Sequence, residues 1–311
     1  MKKRTLIGVG AALAGAVVLF RKAGLRETLD WESVAKPGRL IDVDGYRVHY
    51  VEAGAGPAIV LIHGFGGQTY SYRKLLPIFA RDHRVIAVDL KGYGYSERDA
   101  YTDLSQSGQV AMLRSLLAKL GIERAVFVGH SMGGGVVQRF AATHPEMVEA
   151  AVLAASVTGE ERSRRRMPPA FLARPLAPLL AKMMSSRIIR ASFYDPSDLT
   201  PEVHDEYMRP VRIKGSMDEF VAIMRAGASD PAVDASKITM PVLLLNGADD
   251  RVVPLSAAQR IRERIPQARL VVIDRAAHML LEEQPEECAR AIVDFLRDAH
   301  AGLTREPLTA G

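Results

Sequence analysis

The sequence predicts an α/β protein: a doubly wound, mostly parallel sheet interrupted by one long helical insertion. Three observations lead there. Short apolar runs bounded by glycines recur along the chain, segments with helical periodicity lie between them, and one stretch, about 157–234, shows no strand pattern. Strands that alternate with helices build a parallel sheet with right-handed crossovers, helices covering both faces.

The elements follow in order. Arg39 to Val43 and Tyr46 to Glu52 alternate polar and apolar around Asp44-Gly45, a hairpin signal. Ala58 to Ile62, Val85 to Val88, Ala125 to Val128, Ala150 to Leu153, Val242 to Leu245 and Leu270 to Ile273 are flat in hydrophobicity. Such runs suit strands buried on both faces. Val110 to Leu120 places apolar residues at 110, 113, 116, 117 and 120 before Gly121, a helix with its stop. Cys288 to Leu296 repeats the pattern. Within the insertion, Phe171 to Met184 and Met217 to Ala226 read as amphipathic helices separated by prolines. Insertions of this kind cover a site and select what enters it.

Composition narrows the class. With 311 residues, 48% hydrophobic and 25% charged, the chain can bury a full core and is not a disordered type. The net charge of +5 is spread along the sequence, with no basic tract interleaved with stacking aromatics, so no nucleic-acid partner is expected. The arginines at 162, 164, 165 and 166 read as a solvated face. Cys288 is the single cysteine; no intrachain disulfide can form, and a buried inert thiol is its expected state.

At the N-terminus, Lys2-Lys3-Arg4 precede an uncharged run from Thr5 to Phe20, and Arg21-Lys22 follow it. Residues 1–22 are therefore expected as a single-pass membrane anchor, ahead of a cleaved signal peptide or a soluble helix, since no A-x-A-like site ends the run. A linker, 23–38, would lead to a core of 39–156 and 235–299, with a helical cap at 157–234 and a tail at 300–311.

The chemistry centres on Gly129-His130-Ser131-Met132-Gly133, placed between a strand and a helical run. That spacing matches the nucleophile elbow G-x-S-x-G, in which a strained strand-to-helix turn exposes the serine. The helix that follows aims its positive end at the oxyanion formed in acyl transfer. His63-Gly64-Phe65-Gly66-Gly67 follows another strand, and its turn could offer the Phe65 amide beside that of Met132 as oxyanion donors. His63 itself is expected to make a structural hydrogen bond. A serine hydroxyl needs a base. Of eight histidines, His278 lies late in the chain after the last strand, where the order nucleophile, acid, histidine puts it. Asp249 and Asp250, just beyond the strand Val242 to Leu245, both qualify as the acid that holds the imidazole tautomer. No dinucleotide fingerprint or cysteine–histidine cluster is present, so no metal or organic cofactor is implied.

These stretches, together with Asp89-Leu90-Lys91-Gly92-Tyr93-Gly94-Tyr95-Ser96, Gly247 to Pro254, and His278 followed by Glu283 and Pro285, resemble the α/β-hydrolase superfamily over roughly residues 39–299. They look like its esterase, lipase and carbon–carbon hydrolase members. The resemblance implies the α/β-hydrolase fold, with a helical cap inserted before the acid-bearing strand. It implies Asp250, three residues after Gly247, as the acid, and it implies that Asp89 and Ser96 shape the oxyanion loop without reacting. Epoxide hydrolases and haloalkane dehalogenases share much of the pattern but use aspartate where this chain has Ser131, which argues against both activities. Ala277 stands where the family usually has glycine. The expectation is a serine hydrolase acting on carboxylic esters, lipid-like ones given the apolar Phe65, the cap and the anchor. A carbon–carbon bond hydrolase of the meta-cleavage type is the alternative. A catalytically silent lipid-binding or scaffold protein is the alternative from another class.

Overall fold

A computed structural model describes residues 26–99, 101–160, 189–226 and 230–302. Eight strands form one sheet: β1 (Arg39–Val43), β2 (Tyr46–Ala53), β3 (Ala58–Ile62), β4 (Arg84–Val88), β5 (Ala125–His130), β6 (Val148–Ala154), β7 (Val242–Gly247) and β8 (Arg269–Ile273). Their order across the sheet is β1-β2-β4-β3-β5-β6-β7-β8. The β1/β2 hairpin and the β2/β4 pair are antiparallel, and every other pair is parallel.

The flat hydrophobicity of the inner strands has a simple cause. In β3, Val60 and Ile62 enter one core, with Leu113, Leu116, Phe140 and Ile261 from helices α2 (Gln106–Lys119), α3 (Met132–Thr143) and α6 (Leu255–Arg264). Ile59 and Leu61 enter the other, with Phe79 of α1 (Leu76–Phe79), Leu280 of α7 (Leu280–Glu283) and Ile292 and Phe295 of α8 (Pro285–His300). Side chains alternate across a strand, so two covered faces leave no position for a polar residue. Cys288 is buried in the second core, where burial pushes its thiol up to about 12.

Between β6 and β7 the described residues hold no strand; helical residues at 189–191 and short turns accompany two helices, α4 (Pro201–Met208) and α5 (Ser216–Ala226). The expected helix Phe171 to Met184 and the arginines at 162–166 lie outside the described residues. Arg98 pins this cap to the core. Its guanidinium donates to the carbonyls of Gly94 (2.6 Å) and Ser96 (2.7 Å) on the core side and of Pro210 (3.2 Å) on the cap side. It also lies 3.2 Å from Glu219 of α5, whose carboxyl burial pushes up to about 7 in spite of that cation.

Residues 26–38 do more than link. Thr28 and Leu29 amides donate to the Arg212 carbonyl, and the Leu29 carbonyl accepts from Lys214. The Trp31 indole donates to the carbonyls of Tyr95 and Ser96 at 3.0 Å each, and Trp31 forms a small cluster with Tyr95 and Ile213. The segment is a strap across the joint between core and cap.

The membrane expectation is corrected. No helix among the described residues is long and apolar enough to cross a membrane. The run that suggested an anchor, Thr5 to Phe20, would extend only ~24 Å as a helix against a hydrocarbon core of ~30 Å. Residues 1–22 lie outside the described residues, and no membrane attachment enters the functional reading below.

Candidate active site

Ser131 sits between β5 and α3 with φ 53° and ψ −115°, in the sparsely populated half of the backbone map. Such strain persists only where the surroundings enforce it. Here the Ser131 amide donates to the Ala154 carbonyl (2.9 Å), and its carbonyl accepts from Gly134 (3.0 Å) and Val157 (3.2 Å). Glycine at 133 is a steric requirement: a Cβ there would lie 2.2 Å from the Ile62 carbonyl oxygen. The elbow therefore packs straight onto β3, and the hydroxyl projects beyond the carboxyl ends of the strands.

Two loops meet it. His278, past β8, accepts at Nε2 from Ser131 Oγ (3.0 Å) and donates at Nδ1 to Asp250 Oδ2 (2.9 Å). Asp250, past β7, also accepts at Oδ1 from the amides of Val252 and Val253, 2.8 Å each, and its side chain is fully buried. Those two amides leave Oδ2 aimed at the imidazole. Asp249 points outward, exposed, so of the two neighbouring carboxylates it is Asp250 that meets His278.

The oxyanion candidates lie on either side. Met132 opens α3, where the first amides have no partner within the helix. Its sulfur accepts from the Tyr93 hydroxyl at 3.3 Å. Phe65 is 41% exposed, with ring contacts to Tyr93 and to Phe220 of the cap. Beneath this loop, His63 donates at Nδ1 to the Gly64 carbonyl (2.8 Å) and accepts at Nε2 from the Leu90 amide (3.1 Å). Burial pushes its pKa down, so it serves as a neutral strut. Asp89 accepts from the amides of Thr69 (2.6 Å) and Tyr95 (2.8 Å) and from His49 Nδ1 (2.7 Å). Burial alone would raise its carboxyl. The His49 hydrogen bond and charge win and hold it below the usual range. Ser96 Oγ donates to the Asp89 carbonyl at 2.6 Å. Neither Asp89 nor Ser96 lines the cavity at Ser131.

That cavity, of about 350 Å³, opens over Ser131 and His278 between core and cap. Its wall is mainly apolar, with Met217, Phe220 and Ile223 from one face of α5, and Met208, Val252 and Met279. At one end stand Gln68, Ser71 and Tyr207, and the Tyr207 hydroxyl bonds Ser71 and Glu282. The i, i+3, i+6 spacing of Met217, Phe220 and Ile223 was open to detection as a helical face; Gln68 and Met279 carry no such signal. Among the described residues no group of three or more His, Cys, Asp or Glu side chains is placed to hold a metal ion.

Residues 57–285 match the family model described as the alpha/beta hydrolase fold. The chain belongs to that family. Among α/β hydrolases, it is 32% identical over 279 residues to 2-hydroxymuconate semialdehyde hydrolase of Pseudomonas putida, covering 85% of this chain and 95% of that one. It is 29% identical over 275 residues to YugF, an uncharacterized hydrolase of Bacillus subtilis, covering 84% of this chain and 98% of that one. The solved structure of 2-hydroxy-6-oxo-6-phenylhexa-2,4-dienoate hydrolase from Rhodococcus superposes with a TM-score of 0.71 at 26% identity, over 85% of this chain and 100% of that one. The protein is thus a hydrolase. These named relatives do not include a lipase or an esterase.

Proposed function

We propose that the protein hydrolyses a carbon–carbon bond next to a ketone in a conjugated 2-hydroxy-6-oxo-dienoate, the substrate type named for its relatives. Ser131 is the nucleophile, His278 the base and Asp250 the group that holds the His278 tautomer. The observation that carries the reading is the Ser131–His278–Asp250 relay, at 3.0 and 2.9 Å, at the cavity between core and cap in a chain 32% identical to a semialdehyde hydrolase.

The bonds and protons balance without a cofactor. Moving the 2-hydroxyl proton of the substrate to carbon 5 gives a 2,6-dioxo chain. Ser131 Oγ adds to carbon 6 while His278 Nε2 takes its proton, and the new oxyanion faces the amides of Phe65 and Met132. Collapse breaks the bond between carbons 5 and 6. The electron pair spreads through the conjugated chain to the 2-oxygen, which is protonated as His278 gives its proton back. Water then attacks the acyl-serine, with His278 again as base, and releases a carboxylic acid.

A second reading, hydrolysis of an uncharged carboxylic ester by the same residues, is favoured by one observation. Arg98 is the one lysine or arginine among the described residues that line the cavity. Its guanidinium is already engaged by backbone carbonyls and Glu219. A dienoate carboxylate would thus meet no free cation among the described residues that line the cavity. Comparing kcat/KM for 2-hydroxy-6-oxo-2,4-heptadienoate and p-nitrophenyl butyrate decides. Preference for the dienoate, lost in Ser131→Ala, supports the proposal; turnover of the ester alone replaces it with the second reading.

A further inference from the structure

We infer that His130, the residue between Gly129 and the nucleophile, is a positioning residue that holds His278 in register with Ser131. The inference rests on His278 acting as the base, whichever substrate is cleaved.

His278 lies on Asp274–Met279, a loop with neither helix nor strand and with Arg275 at φ 50°. Its place is therefore set by individual bonds. Three consecutive backbone groups are held by three different parts of the protein. The Ala277 amide donates to Glu283 Oε2 (2.9 Å), and the Met279 amide donates to the Ser192 carbonyl of the insertion (3.0 Å). The His278 carbonyl between them accepts from His130 Nε2 at 2.7 Å. Of the three anchors, only His130 is covalently adjacent to the nucleophile. Beside the packing of the loop on the end of β7, one side chain thus ties the backbone of His278 directly to the residue next to Ser131.

The ring is suited to this task. His130 is 7% exposed, and its ring lies 4.8 Å from that of His278, centroid to centroid, at 49°. The carbonyl acceptor requires the proton on Nε2. Burial, with His278 beside it as the next cause, pushes the pKa down to about 3. The donor therefore keeps the same form across the neutral range, and His130 adds no positive charge next to the imidazolium that His278 becomes. With Nε2 protonated and turned to the carbonyl, His130 leaves the Ser131 proton to His278. Asparagine at this position would be too short to span the same gap, whereas glutamine places an N–H at nearly the reach of Nε2.

The test uses His130→Phe, which keeps the ring and loses the donor, and His130→Gln, which restores an N–H. The rate at which a fluorophosphonate labels Ser131 reads activation of the serine without reference to substrate class. Turnover of p-nitrophenyl acetate per titrated site supplies kcat and KM. A displacement on the order of 1 Å costs roughly 10²-fold. We expect His130→Phe to lower kcat and labelling rate together by about 10- to 100-fold, with KM within threefold and Tm little changed. His130→Gln should recover most of the loss. Unchanged kcat and labelling in His130→Phe would overturn the inference. So would a loss that glutamine fails to rescue. Should the phenylalanine variant not fold, a glutamine variant with wild-type kcat supports the inference and a tenfold loss overturns it. A wild-type protein that the probe does not label would instead undo the serine-hydrolase reading itself.

Discussion

Gly247 closes β7 three residues before Asp250, and the loop bearing His278 lies directly on it. A Cβ at position 247 would stand 2.3 Å from the Ala277 carbonyl oxygen and 2.4 Å from that of Ala276. Real Cβ contacts of under 3.0 Å essentially do not occur, so in Gly247→Ala the 276–277 backbone must retreat by at least the 0.7 Å separating 2.3 from 3.0 Å. Neither partner can rotate away, because both are main-chain atoms. Ala277 immediately precedes His278, which spans only 3.0 Å to Ser131 and 2.9 Å to Asp250. A retreat of that size stretches both bonds past useful hydrogen-bond length. Misplacement near 1 Å costs roughly 10²-fold in turnover, while overpacking of this kind costs about 1–3 kcal/mol of stability. Steady-state kinetics per titrated active site, with urea unfolding as control, should therefore show kcat down by about 100-fold in a folded protein. Activity within threefold of wild type would show that the loop tolerates the methyl group, and the tight coupling of β7 to His278 would be refuted.

Three further outcomes follow from the geometry. Asp250→Asn should lower kcat on the order of 10²–10⁴-fold by losing tautomer control, and Asp249→Asn should change it little; equal effects would remove Asp250 from the relay. Trp31→Ala, by emptying a buried site in the strap, should cost about 3–5 kcal/mol in urea unfolding, where a plain linker would give no change. His130 has a lowered pKa when folded, about 3 against 6.5, so its contribution is fully present above pH 6.5 and is lost as pH falls. Between pH 6.5 and 5 that loss is roughly 2 kcal/mol at ~1.4 kcal/mol per unit. Urea titrations at pH 7.5 and 5 should show wild type losing that much more than His130→Phe, and equal losses would contradict the buried neutral imidazole.

The parts legible in the sequence were those written in local pattern. All eight strands were open to reading because β1 and β2 alternate while the others carry short apolar runs, although β8, at the sheet edge, leaves Val272 exposed and is not buried on both faces. Ser131 and His278 were legible from the elbow spacing and chain order, and the choice of Asp250 over Asp249 came from resemblance. What stayed hidden depends on long-range contacts to backbone atoms. His130 meets a carbonyl 148 residues away, and Trp31 meets carbonyls 64 and 65 residues away. A carbonyl has no side-chain identity, so such pairings leave no residue pattern. The membrane expectation fails on a different finding: among the described residues no helix is long and apolar enough to cross a membrane.

The most direct test of the central claim, a serine activated by His278, is peptide mapping after exposure to a fluorophosphonate. Wild-type protein should carry one phosphonyl adduct, on Ser131, and Ser131→Ala and His278→Ala should carry none over the same interval. An adduct on another residue, or labelling of His278→Ala at the wild-type rate, would contradict it.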